Sequence, residues 1–273
     1  MIFVYNTSVW RSFFLNSFLI LDQCPEGGVG QFEAHAVRAE RGHADHGWLD
    51  TWHSFSFANW YDPDKLNFGA LRVLNDDSGL PGKGFGQHPH RDMEIISIPL
   101  EGDLEHRDSL GNTAVIRKGE IQVMSAGTGV LHSEYNKNPD QIAKFLQIWI
   151  FPRALNLTPR YDQQSILKTK LSNQFQQILS PDPNDAGVWI HQDAWMNLAD
   201  FSAGSSQQYQ LHKSGNGVYV FVLSGMARIG DQVLEARDAF GIWDTEEFVL
   251  EAIEEASVLL IEIPMELPPY LVK

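Results

Sequence analysis

The chain has 273 residues, of which 43% are apolar, so it is long enough to bury the core of one large domain or of two modest ones. Twenty basic residues stand against 35 acidic ones, and the net charge of −15 disfavours direct binding to a nucleic-acid backbone. Cys24 is the single cysteine, which excludes an intrachain disulfide and a cage of several thiolates around a metal. A reducing compartment suits this composition, and we expect a cytoplasmic protein.

The chain begins with an apolar run, VWRSFFLNSFLIL, that has the outline of a short signal peptide. Asn16 and Ser17 interrupt the run, which is too short to span a bilayer, and Cys24 and the two residues before it stand where cleavage requires small residues. We therefore expect residues 1–35 to be an N-terminal extension, either a fringe strand or the product of an upstream start codon, with an export signal as the alternative. No other segment approaches the length of a membrane span, and we expect no membrane association.

Short β-rich runs separated by turn signals dominate the rest of the chain. In chain order the predicted strands are FGALRVLN, MEIISIPL, TAVIRKGEIQVMS, AKFLQIWIF, GVYVFVLSG, ARIGDQVLE, AFGIWD and SVLLIEIP. Turns rich in Gly, Pro, Asp and Asn separate them, as in residues 76–84 and 180–187. One helix is predicted, over residues 163–179, where it would connect two halves. The pattern indicates an all-β protein.

An internal repeat relates the two halves. Residues 95–127 and 218–244 share the order of a strand ending in Leu-x-Gly, a short hairpin, a polar turn and another strand. Gly102 and Gly225, which close the first strand of each copy, are 123 residues apart. The repeat predicts two copies of one β-barrel unit.

Two pairs of residues indicate a metal site in the first copy. His88 and His90 are two residues apart, so in a strand both imidazoles project from one face. An H-x-H pair is weak evidence by itself, but His132 and Glu134 form a second pair of this kind 42 residues later. Three imidazoles and a carboxylate suit Fe(II) and also Mn, Co, Ni, Cu or Zn. Four protein ligands leave open positions on an octahedral ion, as a metal that performs chemistry requires.

These residues resemble the two motifs of the cupin superfamily. Gly82, His88, His90, Glu94 and Gly102 match the first motif, and Gly119, Gly127, His132 and Asn136 match the second, with Ser125 in place of its proline. In the general pattern the carboxylate ligand is the glutamate of the first motif. Glu94 comes one residue early, which turns it to the opposite face of the strand, so Glu134 is the better ligand and Glu94 is expected at the surface or behind the ligands.

Within the cupins the chain is similar to the pirin family. The resemblance rests on GHADHGWLDTWHSFSFANWYDP, GFGQHPHRDMEI, LEGDLEHRDSLGN and MSAGTGVLHSEYN, and is specific over about residues 36–160. It implies a bicupin of two double-stranded β-helix (jelly-roll) barrels packed face to face, with a metal-binding barrel over 36–158 and a barrel without metal over 159–273. The family's ligands fall on His88, His90, His132 and Glu134, whereas the equivalent positions of the second barrel hold Leu211 and Lys213.

The remaining aromatic, thioether and imidazole side chains leave alternatives open. Phe55, Phe57, Met93 and Met124 are either core residues or the apolar wall of a metal pocket. His43 and His46 form an H-x-x-H that we expect in a turn rather than at a second metal. We expect hydrogen-bonded or exposed positions for the other histidines, namely His53, His106, His191 and His212.

The resemblance implies a quercetin 2,3-dioxygenase, in which O2 opens the central ring of a flavonol and carbon monoxide leaves. Iron(II) is then the first expectation for the metal, and Glu134 is the candidate base for the flavonol hydroxyl. A related enzyme acting on another phenolic or enolic substrate would share the site. The alternative from a different class is a non-enzymatic, iron-dependent redox sensor that binds a protein partner in transcriptional regulation.

Overall fold

A computed structural model describes residues 32–166 and 172–272. The strands of the first half are β1 (Phe32–Ala36), β2 (Gly42–Asp45), β3 (Leu49–His53), β4 (Leu71–Gly79), β5 (Gly84–His90), β6 (Glu94–Glu101), β7 (Asp103–Asp108), β8 (Thr113–Arg117), β9 (Glu120–Ser125), β10 (Val130–Asn136), β11 (Ala143–Ile150) and β12 (Arg160–Ser165). Those of the second half are β13 (Gln176–Ser180), β14 (Val188–Trp189), β15 (Trp195–Phe201), β16 (Ser206–Gln210), β17 (Asn216–Ser224), β18 (Ala227–Ile229), β19 (Gln232–Leu234), β20 (Ala239–Trp243), β21 (Glu247–Ala252) and β22 (Ala256–Pro264). A 3-10 helix, Arg38–Glu40, lies between β1 and β2.

Each barrel consists of a seven-stranded and a four-stranded sheet. In the first barrel the strand orders are β12-β9-β6-β11-β4-β3-β2 and β5-β10-β7-β8. In the second they are β1-β20-β17-β22-β15-β13-β14 and β16-β21-β18-β19. The predicted all-β fold of two cupin barrels is confirmed. No helix in the described residues is long and apolar enough to cross a membrane.

One edge strand of each large sheet lies outside the residue range expected for its barrel. Strand β1 pairs with β20 of the second barrel, whereas β12 pairs with β9 of the first. The expected boundary at 158/159 therefore does not follow the sheets, because β12 completes the sheet of the metal-binding barrel. Of the expected extension 1–35, residues 1–31 lie outside the described part, and β1 begins at Phe32. Each of these two strands covers a sheet edge that would otherwise expose unpaired backbone groups.

The two large sheets pack against each other through the main apolar core. In β6, Ile96 and Ile98 point to this interface, whereas Ile95 and Ser97 point into the first barrel, as the two-residue period of a strand requires. The second barrel contributes Ile178, Leu179, Met196, Tyr219, Phe221, Leu259, Ile261 and Ile263 to the same core. The barrels are thus packed face to face, as expected from the resemblance.

The helix predicted over 163–179 is wrong wherever the structure describes it. Residues 163–165 extend β12, residues 176–179 lie in β13, and residues 167–171 fall outside the described part. Ile178 and Leu179 are both fully buried although they are neighbours, which a strand between two packed layers allows. Pairing with neighbouring strands therefore overrides the helical spacing of the leucines and isoleucines.

The repeated hairpins follow the predicted offset. Gly102 and Gly225 both adopt positive φ, 71° and 77°, at the ends of β6 and β17. A Cβ atom at Gly225 would lie 1.9 Å from the carbonyl oxygen of Glu255, so only glycine fits there. The same turn geometry thus closes the first strand of both copies.

The interiors of the two barrels differ in polarity. One continuous apolar cluster fills the second barrel. The first barrel contains two small apolar clusters instead, one around Phe145 and one around Met124. Its buried polar residues include His53, Asn75, Asp77, Ser97, His106, Gln122, His132, Glu134 and Gln147. Buried polar groups cost free energy unless they are paired, so their concentration in the first barrel indicates a functional site there.

Candidate metal centre

Strands β5 and β10 bring three imidazoles together inside the first barrel. The antiparallel register sets His132 directly opposite His88 and Val130 opposite His90. One potential ligand atom from each of His88, His90 and His132 lies within 4.8 Å of the others. The ring centroid of His132 is 4.4 Å from that of His88 and 4.8 Å from that of His90.

Glu134 lies beside this cluster rather than within it. The pairing of β10 with β5 shifts between His132 and Glu134, so that Glu134 stands opposite Phe85. Its carboxylate groups with His132 and His106, again within 4.8 Å. Ser97 Oγ donates to Glu134 Oε1 at 3.0 Å, and Gln147 Nε2 donates to Oε2 at 2.8 Å. Glu134 is therefore held from behind by two uncharged donors, and each oxygen keeps a lone pair for a further partner.

The imidazoles are prepared to act as neutral ligands. Burial, followed by the neighbouring histidines, lowers the pKa of His132 to about 2 and places that of His90 well below its ordinary value. His88 Nδ1 donates to the carbonyl oxygen of Gly86 at 2.7 Å, so Nε2 is the ring nitrogen that remains for a metal. The Nε2 of His132 is buried and has no hydrogen-bond partner among residues 32–166 and 172–272. A buried imidazole nitrogen without a hydrogen-bond partner, in a cluster of three histidines, fits a divalent transition metal.

His106 and Asp108 of β7 lie next to the three histidines. The sequence predicted only that His106 would be hydrogen-bonded or exposed, and did not predict its position beside the centre. Both side chains are fully buried, and His106 Nε2 lies 3.0 Å from Asp108 Oδ2. The other ring nitrogen, Nδ1, lies 3.5 Å from His132 Nδ1. Burial would raise the pKa of Asp108, but hydrogen bonds from Asn112 and His106 lower it overall. The available signal was the H-x-D spacing of His106 and Asp108, in a segment that the sequence pattern did not predict as a strand.

An apolar wall adjoins His90. The ring of Trp149 contacts His90 at a centroid distance of 4.9 Å, and Phe57 contacts Trp149 at 5.4 Å. Met93 and Met124 pack in the same small cluster as Trp149. Phe55 is different, because it belongs to the core between the barrels and contacts Tyr219. Phe57 and Met93 are therefore linked to His90 through Trp149, whereas Met124, which is fully buried, and Phe55 are core residues.

Glu94 points away from the three histidines, as its position in the motif predicted, but it is not at the surface. It is 1% exposed, and Ser125 Oγ donates to it at 2.7 Å. The backbone of His191, from the second barrel, also donates to Glu94. Burial raises the pKa of Glu94 to about 7. The carboxyl therefore belongs to the seam between the barrels.

Three other histidines lie in polar pairs, and a fourth, His191, contacts an aromatic ring. In the second barrel His212 Nδ1 lies 2.9 Å from Glu262 Oε2, the ring stacks on Trp195, and Leu211 is in the barrel core. His43 pairs with Asp50 at 2.8 Å. His53 pairs with Asn75 at 2.9 Å, and the ring of His191 contacts Trp189.

Comparison with known proteins agrees with the fold and the centre. The family model described as Pirin matches residues 34–150, and that of the quercetinase C-terminal cupin domain matches residues 177–263. Quercetin 2,3-dioxygenase of Escherichia coli K12 is 43% identical over 229 residues, covering 82% of this chain and 96% of that protein. A pirin-like protein of Caulobacter vibrioides is 40% identical over 222 residues, covering 81% and 95% respectively.

A solved structure extends the comparison to a bound metal. The crystal structure of the bacterial pirin YhhW from Escherichia coli, in complex with nickel(II), superposes with a TM-score of 0.81 at 41% identity. The match covers 85% of this chain and 99% of that one. Sequence, fold and a centre of neutral imidazoles suited to a divalent metal thus agree, and the chain belongs to the pirin family.

Proposed function

We propose that the chain is a metal-dependent dioxygenase of the quercetin 2,3-dioxygenase type, which opens the flavonol ring with O2 and releases carbon monoxide. A curated relative with that name matches at 43% identity over most of both chains. The observation that carries the proposal is a cluster of three imidazoles, two of them buried, in which His132 Nε2 lacks a hydrogen-bond partner in the described chain.

His88, His90 and His132 would hold the metal, with Glu134 as a fourth ligand or a close neighbour of it. We propose Fe(II) as the native ion, although this donor set also accepts the nickel seen in the related structure. When bound, the ion would supply the Lewis-acid and redox chemistry that the reaction of a flavonol with O2 requires.

Glu134 is the proposed catalytic base. Its carboxylate is 3% exposed and oriented by Ser97 and Gln147, so it is fixed in position before substrate arrives. It would take the proton of the flavonol 3-hydroxyl on one of its two oxygens, each of which accepts a single hydrogen bond from these residues. Glu134→Gln keeps the shape of the side chain and removes this basicity.

The wall formed by Phe57, Met93 and Trp149, with the fully buried Met124 behind it, suits a flat aromatic substrate. Trp149 and Phe57 present rings at an edge-to-face angle beside His90. A polyphenol ring packed there would exclude water from the side of the centre nearest His90. Phenolic substrates other than quercetin would use the same wall.

The test uses full-length protein without a histidine tag, with its metals quantified by mass spectrometry and O2 consumption measured with quercetin. Glu134→Gln and His90→Ala should lose turnover, and His90→Ala should also lose metal. His212→Gln alters a comparable histidine in the second barrel and should keep both. Stoichiometric metal without turnover, after reconstitution with Fe, Mn, Co, Ni and Cu in turn, would contradict the quercetinase proposal and favour a partner-binding regulator.

A further inference from the structure

Asp108 is positioned as an obligatory acceptor behind the metal centre. Its Oδ1 accepts from the backbone N–H groups of Leu110 and Asn112, at 2.9 and 3.0 Å. Its Oδ2 accepts from Asn112 Nδ2 at 2.9 Å and faces His106 Nε2 at 3.0 Å. An ionised carboxylate has no proton to donate, so the ring nitrogen of His106 that faces it must carry a hydrogen.

The hydrogen on His106 Nε2 determines which nitrogen of His132 carries a hydrogen. In its neutral form His106 has one N–H, so a hydrogen on Nε2 leaves Nδ1 as an acceptor, whereas a protonated His106 would donate from both nitrogens. The atom facing it at 3.5 Å is His132 Nδ1, which must then be the donor. The remaining nitrogen of His132, Nε2, is left as a bare lone pair, and this is the buried atom without a hydrogen-bond partner in the described residues.

We propose that Asp108 and His106 are positioning residues that fix His132 in its Nδ1–H tautomer and so present Nε2 to the metal. The inference rests on the proposed function only in taking His132 as a ligand. The register supports the arrangement, because β7 sets Asp108 directly opposite His132 and His106 opposite Glu134. The ring of Tyr161 packs on His106 at 4.8 Å and holds that imidazole from the side of β12.

Asp108→Asn is the most informative substitution, because asparagine keeps the shape of the side chain but is no longer restricted to accepting hydrogen bonds. If the amide nitrogen faces His106, two donors oppose each other unless His106 moves its hydrogen to Nδ1. That hydrogen would then oppose the one on His132 Nδ1, and His132 would be driven to carry its proton on Nε2. If the amide oxygen faces His106 instead, the amide nitrogen meets the backbone N–H groups of Leu110 and Asn112.

The first test reads the tautomers in metal-free protein by two-bond 15N–1H correlation of labelled histidine. Wild type should show His132 protonated on Nδ1 and His106 on Nε2, with peaks assigned from His132→Gln and His106→Gln. Asp108→Asn should shift His132 to its Nε2–H tautomer or to a mixture. An Nε2–H tautomer of His132 in wild type, or an unchanged His132 spectrum in Asp108→Asn, would overturn the inference.

The second test measures nickel(II) affinity by chelator competition. Partners behind metal-bound histidines typically contribute 10-fold to 100-fold in affinity, so Asp108→Asn should bind nickel at least tenfold more weakly than wild type, with the same stoichiometry. Glu262→Gln is the matched control, since it changes the histidine-bound carboxylate of the second barrel and should leave nickel affinity unchanged.

The outcomes separate this inference from the proposed function. If wild type binds nickel and shows the expected tautomers but does not turn over quercetin, the positioning role is retained and the proposed function is wrong. If wild type turns over quercetin but Asp108→Asn binds nickel as tightly as wild type, the proposed function is retained and the positioning role is wrong. Loss of nickel stoichiometry in His106→Gln, with stoichiometry retained in His88→Gln, would make His106 a ligand and also overturn the inference.

Discussion

Glu94→Gln should make the protein more stable at alkaline pH relative to wild type, although it removes a charged group. The carboxyl lies in the seam between the barrels, bound by Ser125 Oγ and by the backbone of His191. Burial disfavours its ionised form more than these donors favour it, so its pKa in the folded protein rises from an ordinary 4.5 to about 7. Glutamine keeps the size and the acceptor oxygen but cannot ionise.

The sign and size follow from proton linkage. Between pH 4.5 and about 7 the folded protein holds a proton on Glu94 that the unfolded chain has lost, so the free energy of unfolding falls as pH rises through this interval. Below it Glu94 is neutral in both states and costs nothing. Each pKa unit corresponds to about 1.4 kcal/mol, so ionisation of Glu94 should cost about 3 kcal/mol at pH 8.

Urea denaturation of metal-free wild type and Glu94→Gln at pH 5 and pH 8 measures this cost directly. The free energy of unfolding of the variant, relative to wild type, should increase by about 2.5 kcal/mol between the two pH values, because a small part of the cost is already present at pH 5. The buried Asp77, whose pKa is also raised to about 7, contributes equally to both proteins and cancels. Glu101→Gln, at the exposed end of the same strand, should show a small effect of opposite sign, because the hydrogen bond and charge of Lys144 lower the pKa of Glu101. Parallel pH profiles for wild type and Glu94→Gln would refute the reasoning.

Three further outcomes are expected. Gln147→Met removes the hydrogen-bond donor to Glu134 at similar side-chain volume. The kcat for quercetin should fall about 10-fold to 100-fold in steady-state kinetics, while metal analysis shows an unchanged metal content. An unchanged kcat would contradict the role of Gln147 in orienting Glu134. Gly225→Ala forces a Cβ atom to within 1.9 Å of Glu255 O at positive φ, and should lower the melting temperature in calorimetry, whereas an unchanged melt would contradict the clash. Nickel at 100 times its Kd should stabilise wild type by about 2.7 kcal/mol and leave His132→Ala unshifted, so an equal shift in both would place the metal elsewhere.

The fold was predictable because its signals are local and repeated. Strand alternation, glycine turns and the 123-residue offset between Gly102 and Gly225 each specify the same barrel unit. The sheets that β1 and β12 join were not predictable, because the pairing depends on which sheet edge lies nearest in space. The false helix over 163–179 has the same origin, since pairing with distant strands decided the structure of its ends.

Part of the metal centre was likewise predictable from the sequence and part was not. The spacing of His88, His90 and His132 predicted a shared face, and the structure brings these three side chains together. Ser97, Gln147 and Trp149 were missed because they reach the site from β6 and β11 of the opposing sheet, with no motif to mark them. Phe55 illustrates the limit of alternation, which assigns a residue to a face but does not identify which core lies on that side.

Carbon monoxide release tests the central claim most directly. Wild-type protein reconstituted with Fe(II) or Ni(II) should release one carbon monoxide for each quercetin consumed, and Glu134→Gln and metal-free protein should release none. Quercetin consumption without carbon monoxide, or release that is unchanged after the metal is removed, would contradict a dioxygenase centred on His88, His90 and His132.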